Sequence, residues 1–470
     1  MNKKLWKVVI VVCMISMILL SACKNSGNTL TNPAAQTPSA TVKPTRPLEK
    51  AVQSVLTDKK QVNISFWTGT GATNFPILEE MVKAFQAKYP NITVDFSNQG
   101  AIGDLTKKLT QNIVSKSTPT LSNIVASTFP EYISSKAIID LMPYYEDKTI
   151  GLANGNDGIF SYYIDEVKSL GPEGTMYGFP TNKKTSDVLM YNKTYFDSKG
   201  WAPPKTWDEL VSYAKTIREE TGKPGFSFDN AYGDAPFMLL SRQWGSPYIR
   251  PDGTIDINND AGKAALKFYK DNMDRGYFTM PALLPSAGGG KYSNKGFVKD
   301  ETYMFIGAAA GVQFAIPNPN AGQKNFEVGV APVPQKDAAK PINFSKGEDY
   351  VIFSNATEEQ RVAAWLLISF LSDAKNNVKW LTETGNLPIS KAMLDEPEYQ
   401  SFLKAKPSAT PGYYRAAAVN AILSAGDLSY IKTVPKSGSL ADQVGKMWEA
   451  VMIGGGNGDQ LLQETASKLK

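Results

Sequence analysis

Histidine is absent from all 470 residues. That absence removes the Ser-His-Asp and Cys-His nucleophile systems and the His-based zinc sites, because each needs an imidazole as base or ligand. Cysteine is nearly absent too, with only Cys13 and Cys23, both close to the amino terminus. No pair is left for a disulfide in the body of the chain, so stability has to come from a large apolar core. Charge bias is slight: 50 Lys and Arg against 45 Asp and Glu give +5. That excess is too small to point to a nucleic-acid partner. The most apolar stretch, Val8 to Leu20, is too short to span a bilayer comfortably.

An enzyme without histidine remains open in one form, since glycosidases need only two carboxylates. Glu348, Asp349, Asp187 and Glu166 are candidates, but sequence spacing does not set their separation. The expectation is a binding protein with no enzymatic activity. Asp252 to Asp260 superficially resembles a calcium loop, yet lacks the glycine at position six and the terminal glutamate. Asp252-Gly253 reads better as a hairpin turn into a strand, followed by a helix from Ala261. Gly288-Gly289-Gly290-Lys291 lacks the spacing and the Ser or Thr of a phosphate loop and reads as a flexible loop. No cofactor and no metal ligand set is expected.

What is present starts at the amino terminus. Lys3, Lys4 and Lys7 precede the apolar run, the layout of a secretory leader. Leu20-Ser21-Ala22-Cys23 resembles the lipobox at which bacterial lipoproteins are acylated and cleaved, which implies a signal peptide over residues 1–22 and Cys23 as the lipidated first residue. Loss of the leader takes three lysines with it and leaves +2. Residues 23–60, rich in Asn, Ser, Thr and Pro, read as a flexible tether. A protein so anchored works at the outer face of the membrane.

From Val62 the pattern is strand, helix, strand. Val62, Ile64 and Phe66 alternate, Ile77, Leu78, Met81, Val82, Phe85 and Tyr89 recur at helical spacing, and Ile92, Val94 and Phe96 alternate again. Thr206 with Glu209 and Thr357 with Gln360 fit capping boxes at helix starts. The stretch Ala363 to Leu371 reads as a core helix. Such alternation over a chain this long, without a Pro- or Ser-rich break, predicts an α/β protein of two lobes with a ligand cleft between them.

The order of several short motifs then carries a resemblance over nearly all of the exported chain. They are Phe66-Trp67-Thr68-Gly69, Tyr89-Pro90-Asn91-Ile92-Thr93-Val94, Tyr177-Gly178-Phe179-Pro180, Met190-Tyr191-Asn192-Lys193, and Pro203-Pro204-Lys205-Thr206-Trp207-Asp208-Glu209-Leu210. Ala363-Ala364-Trp365 and Thr384-Gly385-Asn386-Leu387-Pro388-Ile389 follow. Together they resemble the extracellular solute-binding proteins of ABC importers, the family that includes maltose-binding protein. The resemblance implies a two-lobed periplasmic-binding-protein-like fold with three interlobe crossings, near Tyr177 to Thr181, Val330 to Val333 and Ser372 to Val378. The corresponding division is 61–179 and 332–375 in lobe 1, and 180–331 and 376–470 in lobe 2. It also implies a permease as partner, capture by hinge closure, and a monomer.

Sugars offer hydroxyls around apolar faces, so aromatic platforms and polar side chains are sought just after strands. Trp67 beside Gly69 and Trp244 beside Gly245 are the expected platforms. Thr68, Ser127, Thr128, Asp349 beside Gly347, Asn386 and Arg415 are the expected polar contacts. The branch that binds glycerol 3-phosphate shares the frame of Gln99-Gly100-Ala101-Ile102, but it typically has tyrosine where Ile102 and Asn386 stand here, and serine within Ala308-Ala309-Ala310-Gly311. Lost hydroxyls would leave a phosphoglycerol unpaired. A mono- or oligosaccharide is therefore expected, with glycerol 3-phosphate or a glycerophosphodiester as one alternative and a surface glycosidase as another.

Overall fold

The computed structural model describes residues 47–153, 158–231, 233–408 and 410–469. The expected leader, Cys23 and the first part of the expected tether lie outside them. The tether was expected to run to residue 60, but a helix already covers Pro47–Val52 and continues as a wider turn over Gln53–Thr57. Ala51, Val52 and Val55 are buried and recur on one face, so this segment packs into the core beside the helix Glu358–Leu371. The side-chain amide of Asn91 donates to the Val55 carbonyl at 3.0 Å and ties it down.

In chain order the strands are β1 (Val62–Thr68), β2 (Ile92–Asn98), β3 (Leu121–Val125), β4 (Phe179–Pro180), β5 (Asp187–Asn192), β6 (Phe226–Phe228), β7 (Tyr248–Ile249), β8 (Ile255–Asp256), β9 (Phe278–Thr279), β10 (Met304–Ala308), β11 (Val328–Ala331) and β12 (Glu348–Ile352). They form one sheet in the order β2-β1-β3-β12-β4, a second in the order β11-β5-β10-β6-β9, and the small hairpin β7-β8. Gly253, at φ +88°, supplies the turn expected at Asp252-Gly253. In the first sheet β1 runs parallel to β2 and β3, and β12 runs antiparallel to β3. In the second, β10 is parallel to β6 and antiparallel to β5. The alternation read in β1 places Val62, Ile64 and Phe66 in the core, and the helix Phe75–Lys88 lays Ile77, Leu78, Met81, Val82 and Phe85 into the same core.

Both expected capping boxes are present. The Thr206 hydroxyl accepts from the Glu209 amide at 3.2 Å while the Glu209 carboxylate accepts from the Thr206 amide at 3.3 Å. Thr357 and Gln360 repeat the exchange at 3.3 and 3.0 Å. Each such cap is worth about 1 kcal/mol. The helix Glu358–Leu371 is apolar nearly all round and buried, and among the described residues no helix is long and apolar enough to cross a membrane.

Three segments carry the chain between the sheets. The first joins β4 to β5 and the second joins β11 to β12, and they meet in an antiparallel bridge between Thr185 and Lys346. The third lies beside them, with Ser429 in a parallel bridge to Phe344. The third passage is spread along the chain: the helix Ala374–Thr384 touches the helix Phe75–Lys88 of the first sheet, and the helix Pro411–Ser424 already lies against the second. The first core also takes in Val188, Met190, Phe305 and Val328 from one face of the second sheet; Leu428 packs with it, whereas Val434 and Leu440 pack in the other core. Ser372 and Asp373 make a tight turn, and Asp373 caps the next helix, Ala374–Thr384, by accepting from the Asn376 amide at 3.2 Å. Trp380 on that helix is buried in the first core, and its indole donates to the Asn182 carbonyl at 2.6 Å. The helix Pro411–Ser424 lies against β5, β11 and the turn Ala309–Ala315.

Candidate functional site

The carboxyl ends of β1, β2 and β3 lie at the edge where β12 begins, and the carboxyl ends of β6 and β10 lie where β5 begins. The three connecting segments run between these two edges. In open α/β sheets ligands bind beyond strand ends of this kind. Trp67, Thr68 and Gly69 leave β1 at the first edge. Trp67 is half-buried against the first core. The Thr68 hydroxyl is buried and shares a 2.8 Å hydrogen bond with that of Thr70, which orients the loop. A Cβ on Gly69 would stand 2.9 Å from the Ile102 Cα, so the loop and the following helix approach only because this residue has no side chain. Ser127 and Thr128 form a short helical turn after β3, and the Thr128 hydroxyl donates to the Val125 carbonyl at 2.8 Å. That turn touches the start of the helix Ser437–Met452 from the second core.

Other expected contacts serve packing instead. Trp244 is packed 4.9 Å from Phe268 and 6.5 Å from Trp207, with the Lys336 ammonium 5.1 Å over its ring. It packs in the second core, while Trp67 packs in the first. Gly245, at φ +101°, ends the helix that carries Trp244. Gly347, at φ +126°, lets two connecting segments approach, since a Cβ there would lie 2.7 Å from the Lys183 carbonyl. Asn386 is buried, with its amide donating to the Lys184 carbonyl at 3.2 Å. Arg415 reaches the Gln313 side chain at 2.6 Å and the Thr382 carbonyl at 3.4 Å, and desolvation holds its pKa below the ordinary value.

Asp349 is fully buried on β12 and pairs with the Lys184 ammonium at 2.8 Å. Lys184 also donates to Glu166 at 3.0 Å. Burial pushes the Asp349 carboxyl up to about 7, with Lys184 pulling it down and Glu166 pushing it further up. Burial works against the charge on Lys184, yet the two carboxylates hold its pKa above the usual value. This trio lies beneath the connecting segments and closes them with charge rather than offering hydroxyl partners.

A cavity of about 510 Å³ opens at the second edge. Asp229, the residue after β6, lines it together with Lys291, Tyr292, Lys295, Gly311 and Phe314. Tyr292 and Phe314 are 59% and 60% exposed, large apolar surfaces left uncovered at its rim. Asp229 accepts from the Ser293 amide at 2.7 Å, and burial pushes its carboxyl up to about 7 against that bond. A Cβ on Gly307 would sit 2.6 Å from an Asp229 oxygen, so β10 makes room for the acid. Facing it across the connections, Lys183 donates to the Gly69 carbonyl at 3.1 Å and pairs with Glu348, which accepts from Asn123 at 3.1 Å. Lys346 pairs with Asp187 at 2.5 Å.

Sequence reasoning passed over Asp229, Tyr292 and Phe314. The loop read as flexible at Gly288 to Lys291 in fact delivers Lys291 and Tyr292 to the cavity, with Gly288 and Gly289 both at positive φ. The available signal was an acid directly after the apolar run Phe226-Ser227-Phe228, at a strand's carboxyl end.

Two separate mixed sheets with their helices, joined by connecting segments that lie side by side, define a two-lobed α/β fold. The model of the bacterial extracellular solute-binding proteins matches residues 80–408, and the chain belongs to that family. A putative binding protein of Brucella abortus is 25% identical over 411 residues, covering 84% of this chain and 89% of its own. The cyclic alpha-maltosyl-1,6-maltose binding protein from Arthrobacter globiformis superposes with a TM-score of 0.68 at 22% identity, over 87% of this chain and 97% of its own. UgpB from Mycobacterium tuberculosis, solved with glycerophosphocholine, gives 0.70 at 17% identity, over 87% and 97%.

Proposed function

We propose that this protein captures a carbohydrate between its lobes and delivers it to the permease of an ABC importer, without turning it over. The observation that carries the reading is the cavity at the ends of β6 and β10, lined by two exposed aromatic rings together with the buried acid Asp229. Ring faces of a sugar stack on such aromatics, and its hydroxyls satisfy the buried acid. Trp67, Gly69 and Ser127 supply the opposite wall, so a ligand touching both walls favours the closed state. The division into lobes that we propose follows the two sheets and the helices that cover each. The lipobox supports Cys23 as a lipid anchor that keeps the receptor on the outer face of the membrane. The similarity to a cyclic maltosaccharide-binding structure supports an oligosaccharide among the ligand sizes.

The test is a melting screen with mono- and oligosaccharides, since a ligand that binds only the folded state raises Tm. Hits are then followed by solution scattering and a reducing-end assay. A stabilising sugar that contracts the protein and stays intact is the expected result. Release of new reducing ends beyond stoichiometry would replace the receptor with a glycosidase.

A further inference from the structure

We propose that the carbohydrate bound in this cavity carries a negatively charged group, received at the rim by Lys291 and Lys295. The inference rests on the carbohydrate reading above and concerns the same cavity. Its observation is a mismatch of charge. Lys183, Lys184 and Lys346, buried or half-buried where the connections cross, each have a carboxylate: Glu348, Asp349 with Glu166, and Asp187. Lys291 and Lys295 line the cavity, and among the described residues neither ammonium has an ion pair or a hydrogen-bond partner. The cavity's own acid does not answer them, because Asp229 is already engaged by Ser293 and burial disfavours its ionised form.

A neutral sugar seated between Tyr292 and Phe314 would cover two ammonium groups and give them only hydroxyls in return for water. Covering a charge without a countercharge is costly, whereas a carboxylate or phosphate oxygen forms a charge-assisted bond with each lysine. The aromatic pair then takes the ring, Asp229 takes hydroxyls, and the lysines take the anion. A uronate carboxylate and a sugar phosphate share this chemistry.

The experiment is calorimetry on the full-length chain in detergent with matched probes: glucose, glucuronate and glucose 6-phosphate, the same galactose trio, and digalacturonate beside its uncharged methyl ester. The expected result is that at least one anionic probe binds about tenfold or more tightly than its neutral counterpart, as one charge-assisted contact allows. That advantage should shrink between low salt and high salt. It should vanish in the double variant Lys291→Gln, Lys295→Gln, whose ligand-free melting temperature should match the parent because both side chains are exposed. The carboxylate and phosphate arms identify which anion is taken. Neutral sugars that bind as well as or better than their anionic counterparts would overturn the inference while leaving the carbohydrate reading intact, as would an advantage that persists in the double variant. Binding of no sugar, charged or neutral, would overturn both.

Discussion

Replacing Lys184 by methionine tests whether the charge trio beneath the connections is structural. The side chains of Lys184 and Asp349 are each 1% exposed and that of Glu166 is 8% exposed, so the substitution leaves two largely buried carboxylates without the cation they share. Breaking a buried pair from one side costs about 3–5 kcal/mol, and methionine keeps the volume so that no cavity adds to the loss. The pH dependence separates this cause from bad packing. Because the Asp349 carboxyl is raised from 3.8 to about 7 by burial, the folded state holds a proton that the unfolded chain has lost between those values. That group makes stability fall as pH rises through the window. Without Lys184 the carboxyl moves higher still, so the variant should lose least near pH 4 and progressively more toward pH 8. Urea unfolding across this range measures it. A variant within about 1 kcal/mol of the parent at pH 8, or a deficit independent of pH, would refute the reasoning, since a buried charge left unpaired cannot be that cheap.

Phe314→Ala should weaken binding of a proven sugar by about 1–2 kcal/mol while leaving Tm unchanged, the mark of an exposed ring used for contact, and calorimetry with a melt decides it. Trp244→Ala should do the reverse, costing about 2–4 kcal/mol of stability with affinity preserved, because its ring fills the space between Phe268 and Trp207. Asp229→Asn should flatten part of the fall in ligand-free stability between pH 4 and about 7, since it removes a carboxyl raised to about 7 in the folded state; an unchanged pH profile would count against that placement. Cys23→Ser should release the protein from the membrane fraction, and equal retention with the leader removed would contradict the lipid anchor.

Local patterns were legible where one element decides its own shape. The alternation in β1 and the spacing from Ile77 to Phe85 read correctly because burial on one face is written at fixed intervals. Thr206 and Thr357 announced their helices because a cap involves residues three apart. The helix at Pro47 was missed because its few apolar residues follow a proline-rich stretch and are recognised only by the helix they pack on. Polar residues misled for a related reason. Asp349 and Asn386 both turn toward Lys184, a partner far away in sequence, and nothing near either position distinguishes a buried partner from a bound sugar. The cavity escaped notice because it exists only where the ends of β6 and β10 come side by side.

The adjacency of the three connecting segments has a mechanical consequence. A single strand between two bodies acts as a swivel, free to rotate about its own axis. Here Thr185 is pinned to Lys346 and Phe344 to Ser429, so the plies behave like a leaf spring, compliant to flexing across the ribbon and stiff to torsion and shear. In the capture mechanism proposed above, such a ribbon favours one dominant coordinate of movement between the halves over the many that a lone strand allows.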